Sequence, residues 1–482
     1  MGRIRRGSAI MIEVIDDATQ PLFINLARSI TGEIERGRLK PGDALPGTRT
    51  LAKTLKLHRN TVDAAYQELM MQGWLVARSS RGTFVANDLP EGQTLSGKKP
   101  PVRKANRSEK TATERPLLRL SDGVPDARLL PNVALARAFR RTLTSSAFLS
   151  NAGYGDPRGC QALRASLAEY LMEERGLAPS PDDVLVTRGS QMALFLAASA
   201  TLEPGQAIAV EQPGYPLAWS AFRAANARVI PVPVDIQGLC VDRLADLAKN
   251  EPALKAVYLT PHHQYPTTVT MGAGRRLKLL QIARQYGLTI LEDDYDHEYR
   301  FEGRPVLSLA ARAGTDTRVI YIGSLSKLLA PALRIGYAIA SPAMIERMAD
   351  RREAIDRQGD VPLEQALANL IDDGELRRHA RKARRIYRSR RDYLADELLR
   401  RLNDAVSFDV PAGGLAIWLR VANGLSAETW ANNAAQAGLA IAPGLRFVLD
   451  TQHAPEAFRI GYASLDEGDL RRAVDILART RP

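Results

Sequence analysis

Between residues 183 and 340 the chain changes its hydrophobic period again and again. Strand-like runs "DVLVT", "AIAVE", "ARVIPV", "AVYLT", "LTILED", "RVIYIG" and "RIGYAIA" are interleaved with helix-spaced stretches, clearest over 190–201 and 274–286. Parallel strands can be joined only by a long crossover. Repeated alternation of this kind therefore demands an α/β fold with a largely parallel sheet covered on both faces. At 482 residues the chain exceeds one ordinary core, so further domains are expected.

In such sheets ligands sit beyond the carboxyl ends of the strands, and the unusual polar residues fall there. "RGSQ" follows the first strand, "QPGY" the second and "PHHQYPT" the fourth. Asp293 and Tyr295 follow "LTILE", and Ser324 to Lys327 follow "VIYIG". Five strand ends thus converge on one crevice. Amides and hydroxyls at "GSQ", opening a helix, suit a phosphate, and Ser324, Ser326 and Arg334 add hydroxyls and a fixed positive charge. A carboxylate at Asp293 suits a pyridinium nitrogen, Tyr215 a planar ring, and Lys327 an imine with an aldehyde. Together these describe a pyridoxal phosphate site.

Competing readings are weaker. Ser324-Leu-Ser-Lys327 also fits the S-x-x-K of serine acylases, but no S-D-N or K-T-G accompanies it. "EDDYDHE" could pass for a metal cluster, yet neighbouring residues of a strand point to opposite faces, so no metal is expected. His262-His263 alone reads as loop hydrogen bonding.

The other end of the chain carries the charge. Residues 1–120 hold 21 Lys and Arg against 12 Asp and Glu, most of the net +12, which suggests a module that meets a polyanion. Leu22, Leu26, Ile30 and Ile34 mark an amphipathic helix from Pro21 to Gly37. "RTLAKTL" gives a second helix, and "RNTVDAAYQELMMQG" a third with Val62, Ala65, Tyr66 and Leu69 inward. "GWLVA" and "GTFV" then form a hairpin turning near Gly82. Three helices and a wing make a winged helix-turn-helix, whose second motif helix enters the major groove of double-stranded DNA. Arg59, Asn60 and Thr61 are then in reach of bases, Arg49, Arg81 and Gly82 of the backbone or a groove, and His58 of either DNA or the helix start.

This module resembles the GntR family of bacterial regulators, through "G-x-L-x-P-G-x-x-L-P", "R-x-L-A", "R-N-T-V-x-x-A-Y" and "R-G-T-F-V". His58 stands where that family usually has Ser, a better cap. Residues 118–480 resemble a fold-type I aminotransferase. That likeness implies a mostly parallel seven-stranded sheet with helices on both faces and a small C-terminal α+β lobe. It implies Lys327 as the internal aldimine lysine, Asp293 as partner of the pyridine nitrogen and Tyr295 of the ring hydroxyl, with Tyr215 stacked on the ring. It also implies Gly189, Ser190, Gln191, Ser324, Ser326 and Arg334 around the phosphate, His263 in the cofactor set, and Tyr154 reaching the partner subunit's phosphate. Arg459 in "FRIGYA" would clamp a substrate-like carboxylate. Two positions depart from the pattern: Thr268 replaces a usual Gly, and Tyr265 replaces the Asn that contacts the ring hydroxyl.

A GntR-type winged helix (1–86), a basic tether (87–117) and an aminotransferase-like domain (118–482) form the architecture of the MocR family, which the chain resembles over nearly its whole length. The resemblance implies a head-to-tail homodimer that binds operator DNA and senses pyridoxal phosphate itself or an amino-compound effector, with at most residual transaminase activity. A working aminotransferase carrying a DNA-binding arm is the alternative. The tether contains G-x-x-x-x-G-K (Gly92 to Lys98), but Lys99 replaces the metal-binding hydroxyl and Pro100–Pro101 forbid the following helix, so it is no phosphate loop. Two cysteines, no long apolar run and no leader-like start point to the cytoplasm and away from membranes. The basic run 377–391 reads as a solvated helix face.

Overall fold

The computed structural model describes residues 21–78, 82–89, 118–120, 123–150, 153–303 and 306–482. The chain separates into two compact units, Met1–Thr111 and Ala112–Pro482. Arg81, most of the tether and its false phosphate loop lie outside the described residues.

The first unit contains α1 (Leu22–Glu35), α2 (Thr48–Leu55), α3 (Arg59–Met71) and the antiparallel pair β1 (Leu75–Arg78) and β2 (Gly82–Val85). Leu26, Ile30, Ile34, Leu51, Val62, Tyr66, Leu69 and Val85 form its core. Each buried aliphatic side chain contributes about 1.5–3 kcal/mol. Leu22, expected on the same stripe, is 40% exposed. Steps of four residues overshoot the 3.6-residue turn, so the apolar row drifts off the buried face along the helix. The Tyr66 hydroxyl donates to the Pro46 carbonyl at 2.8 Å and ties α3 to the segment before α2.

In the second unit β3 (Leu118–Arg119) pairs with the C-terminal lobe, described below. The central sheet is built from β4 (Val184–Thr187), β5 (Ala207–Gln212), β6 (Arg228–Asp235), β7 (Gly238–Leu239), β8 (Leu254–Leu259), β9 (Thr289–Asp294), β10 (Val319–Ser324) and β11 (Gly336–Ile339). Their order is β4-β11-β10-β9-β8-β5-β6-β7. Strands β6, β5, β8, β9 and β10 run parallel, while β11 lies antiparallel between β10 and β4. The sheet thus has the seven expected strands and an eighth, β7, whose two residues are too few to show a period.

Alternation along the strands divides the core. Leu185, Ile208, Val210, Ala256, Leu291 and Ile322 pack beneath the helices Ser190–Thr201 and Pro342–Asp356. Val184, Val186 and Tyr321 on one stretch, and Ala209, Val257 and Ile290 on another, join the cores of the opposite face. Both faces are therefore apolar, as a covered sheet requires.

The C-terminal lobe carries β12 (Val406–Ser407), β13 (Ala416–Val421), β14 (Leu439–Ala440), β15 (Ala442–Pro443) and β16 (Ala457–Gly461). Four of them form an antiparallel sheet in the order β12-β13-β16-β15, and β14 pairs in parallel with β3. The basic run lies in the helix Glu375–Leu402. It is not wholly a solvated face. Arg390 is buried against Asp126 at 2.8 Å, and Arg391 against Glu302 at 2.7 Å and the Pro411 carbonyl at 2.6 Å.

Candidate functional site

A cavity of about 600 Å³ opens at the carboxyl ends of the central strands. All five expected strand ends contribute to it: Ser190 and Gln191 after β4, Tyr215 after β5, Thr260 and Tyr265 after β8, Asp293 and Tyr295 at β9, and Ser324, Ser326 and Lys327 after β10. Arg334, just before β11, completes the set.

Backbone geometry fixes one side of the cavity. Gly189 has φ +77° and precedes the helix Ser190–Thr201, whose start has no side-chain cap. Its first amides are left to whatever fills the cavity. Arg334, itself left-handed at φ +52°, lies over Gly189 and donates to the Arg188 carbonyl at 3.1 Å. The Ser324 hydroxyl accepts from the Ser326 amide at 3.1 Å. The Ser326 hydroxyl is buried with no hydrogen-bond partner among the described residues, as is Oε1 of Gln191, whose Nε2 donates to the Leu217 carbonyl at 2.7 Å. A hydroxyl, a helix start and a guanidinium in one cradle form a donor set fitted to a phosphate.

Asp293 and Asp294 are consecutive on β9 and point to opposite faces. Asp294 meets the Arg175 guanidinium and accepts from the Tyr321 hydroxyl at 2.8 Å, and Arg175 holds its carboxyl far below the usual range. Asp293 faces the cavity and accepts from the Tyr258 hydroxyl at 2.9 Å through Oδ2. Its Oδ1 is buried with no partner among the described residues. Burial pushes Asp293 up to about 7. The Tyr258 hydrogen bond and Lys327 pull the other way, and Asp294 and Asp296 add to the rise. Such a carboxyl is completed by a buried cation or N–H donor, which a pyridinium supplies.

Lys327 is half-buried. Its Nζ donates to the Gly123 carbonyl at 3.2 Å, and its own carbonyl accepts from the Tyr299 hydroxyl at 3.1 Å. His379 bonds the next carbonyl, that of Leu328, at 2.7 Å. The lysine therefore stands on a turn held from two sides. Tyr215 meets Tyr265 edge-on at 4.9 Å, and the Tyr295 hydroxyl donates to the His263 carbonyl at 3.0 Å.

Three expected residues lie elsewhere. The His263 imidazole is not among the residues lining the cavity. Its Nδ1 lies 2.8 Å from Asp296, and the ring packs so closely on Gly413 that no Cβ fits there. Arg459, on β16, is only 1% exposed and also does not line the cavity. Its guanidinium lies 4.2 Å from the Tyr265 ring centroid and donates to the Pro266 carbonyl at 3.1 Å. Tyr154 is 83% exposed and sits under the Arg357 guanidinium. Thr268 explains one departure from the family pattern. Its φ is +65°, the left-handed region a glycine enters freely and a β-branched residue resists.

Sequence reasoning missed Tyr258, Thr260 and Arg446, all of which line the cavity. Tyr258 had a signal: a lone hydroxyl-bearing residue in an aliphatic strand beside the one carrying Asp293. Thr260 donates to the buried Glu211 at 2.7 Å and accepts from the Tyr265 amide at 2.9 Å, so it sets the loop that carries Tyr265.

On the first unit, Arg49, His58, Arg59, Asn60 and Gly82 are exposed and Thr61 is half-buried. His58 is the N-cap of α3: its Nδ1 accepts from the Asn60 amide at 3.3 Å. Arg59 and Asn60 thus stand exposed at the start of α3.

Fold and site define a class: a winged-helix DNA-binding unit joined to a pyridoxal-phosphate-type aminotransferase unit. Residues 115–477 match the aminotransferase class I and II family, and residues 25–85 match the bacterial regulatory proteins of the gntR family. The probable rhizopine catabolism regulatory protein MocR of Rhizobium meliloti is 31% identical, over 97% of this chain and 95% of its own length. The HTH-type transcriptional regulator TauR of Rhodobacter capsulatus is 31% identical, over 94% and 95%. Among solved structures, the kynurenine aminotransferase of Pyrococcus horikoshii superposes with a TM-score of 0.70 at 29% identity, covering 76% of this chain and 91% of that one. The chain belongs to the MocR family of GntR-type regulators, with pyridoxal 5'-phosphate as its cofactor. Among the described residues no helix is long and apolar enough to cross a membrane.

Proposed function

We propose that this regulator binds operator DNA through α3 and the wing and senses an amino compound, or pyridoxal phosphate itself, in the cavity of the second unit. The observation that carries the reading is the pairing of Lys327 with Asp293, whose buried Oδ1 lacks a partner among the described residues, across one cavity. When bound, the cofactor supplies an aldehyde that condenses reversibly with primary amines. In this reading Lys327 offers the resident amine and Asp293 holds a proton on the ring nitrogen. The start of the helix Ser190–Thr201 with Ser324, Ser326 and Arg334 holds the phosphate, Tyr215 stacks on the ring, and Tyr295 turns its hydroxyl from the His263 carbonyl to the ring oxygen. Tyr154, on an exposed surface, is assigned to the phosphate of the partner subunit in a head-to-tail dimer. An effector amine competing with Lys327 for the aldehyde would change what occupies the cavity between the central sheet and the C-terminal lobe. Any difference in its affinity for two states of the regulator would be the free energy available to bias DNA binding.

Two experiments test this. The cofactor-loaded chain is incubated with amino acids and a keto acid; a single conversion or none is expected, and robust multiple turnover would establish the aminotransferase reading instead. Arg59→Ala is expected to weaken operator binding about 10- to 100-fold, one lost base contact, with the cofactor's visible absorption intact. Unchanged DNA affinity would remove α3 from the interface.

A further inference from the structure

Tyr265 lines the cavity and Arg459 lies directly behind it. The guanidinium rests against the tyrosine ring, 4.2 Å from its centroid, and its residue is 1% exposed. The ring is wedged in place. Tyr215 meets it at 4.9 Å, Phe447 at 5.7 Å and Tyr295 at 6.1 Å. Its backbone is held as well: the amide donates to Thr260, and the carbonyl accepts from Gln264 at 2.7 Å. Thr260 is in turn fixed by Glu211 at 2.7 and 2.9 Å. A carboxylate entering the cavity therefore meets an aromatic ring where a guanidinium would have to receive it. The cations that line the cavity among the described residues are Lys327, Arg334 and Arg446. Arg334 belongs to the phosphate cradle and Lys327 to the aldehyde, while Arg446 is exposed, so water screens any pairing it makes.

We propose that Tyr265 is a specificity-determining lid that seals Arg459 from the cavity, so that the site selects primary amines lacking a carboxylate on the carbon that bears nitrogen. The inference rests on the reading of the cavity as a pyridoxal phosphate and amine site. A carboxylate gains a two-point contact only when it reaches a guanidinium in the plane of its fork. Here the ring covers that guanidinium, and the Pro266 carbonyl takes one of its donors. An α-amino acid is left with a carboxylate that finds no buried counter-ion, only the solvent-exposed and screened Arg446, which costs affinity. An amine without that group loses nothing.

The test compares L-norvaline with n-butylamine, which differ only by the α-carboxylate, titrated into the cofactor-loaded full chain and followed by visible absorption. The native chain is expected to bind norvaline no better than butylamine. Tyr265→Ala removes the lid and is expected to shift the ratio about tenfold or more toward norvaline, the worth of hydrogen bonds to a charged group. Adding Arg459→Gln to Tyr265→Ala is expected to abolish that gain, whereas Tyr265→Phe, which keeps the ring, retains the native ratio. A native chain that prefers norvaline tenfold, or a Tyr265→Ala chain with the native ratio, overturns the proposal. The native comparison stands even if a variant fails to fold. Failure of the native chain to hold the cofactor would overturn the underlying reading instead, and it shows separately, as absent absorption before any amine is added.

Discussion

Gly336→Ala tests how the cradle is built. A Cβ at residue 336 would lie 2.6 Å from the Gly189 carbonyl carbon, 2.7 Å from the Ser190 nitrogen and 2.9 Å from the Gly189 Cα. Ordinary van der Waals contact begins near 3.4 Å, so the two chains must part by about 0.8 Å. All three atoms are backbone, and no rotamer change relieves them. The helix start has little room to retreat, because Arg334 closes over it and donates to the Arg188 carbonyl at 3.1 Å. Nor can β11 move freely, since Gly336 is paired with Thr187 and Ser324. Overpacking of this kind costs about 1–3 kcal/mol, a fall in melting temperature of about 1–4 °C for the larger unit. The same movement pulls the first amides of the helix out of the cradle, and in the proposed site the loss of one hydrogen bond to a charged group would weaken cofactor binding about 10- to 100-fold. Titration of the cofactor-free chain with pyridoxal phosphate, followed by absorption, measures the second effect, and thermal unfolding followed by circular dichroism the first. Ser190→Ala, which removes a hydroxyl and leaves the backbone where it is, should lose less than Gly336→Ala. Native cofactor affinity and an unchanged melting temperature in Gly336→Ala would refute the reasoning.

Tyr258→Phe removes the hydrogen bond that stabilises ionised Asp293, so its carboxyl should rise above about 7 and the pH midpoint of cofactor binding should move up with it; an unmoved midpoint would detach Tyr258 from Asp293. Thr268→Gly relieves a left-handed β-branched residue and should stabilise the chain by about 1 kcal/mol, less the extra freedom glycine has when unfolded, as read by chemical denaturation. Burial raises Glu211 and Asp293 to about 7 and Glu298 to about 8. The folded cofactor-free chain therefore keeps protons that the unfolded chain has released above the ordinary carboxylate range. Stability from these groups is lost as pH rises through about 7 to 8, whereas His262, His297 and His379, which burial holds neutral, act the other way only up to their ordinary range near 6.5, so the melting temperature should fall between about pH 6.5 and 8.

The strands were legible because period two survives wherever both faces of a sheet are buried, and the cavity because polar residues at five strand ends had no place in a core. The same period separates Asp293 from Asp294, which composition alone could not do. β7 was too short to show a period, and Leu22 was misplaced because a four-residue step is not a helical turn. Arg459 shows where reading by position ends. Its motif is intact, but its exposure is decided by a ring 194 positions earlier, held by Thr260, Glu211 and Phe447. Arg446 enters the cavity from the C-terminal lobe with no local pattern to announce it.

The placement of Asp293 has a consequence for how genes of this kind can vary. Lengthening or shortening β9 by one codon anywhere between Thr289 and Asp293 would turn the rest of the strand over. The carboxylate facing the cavity and the one neutralising Arg175 would then both point to the wrong face, and both would be lost together. Substitutions in β9 can be sampled one at a time, but insertions and deletions cannot. Length, more than composition, is what inheritance must preserve in that strand.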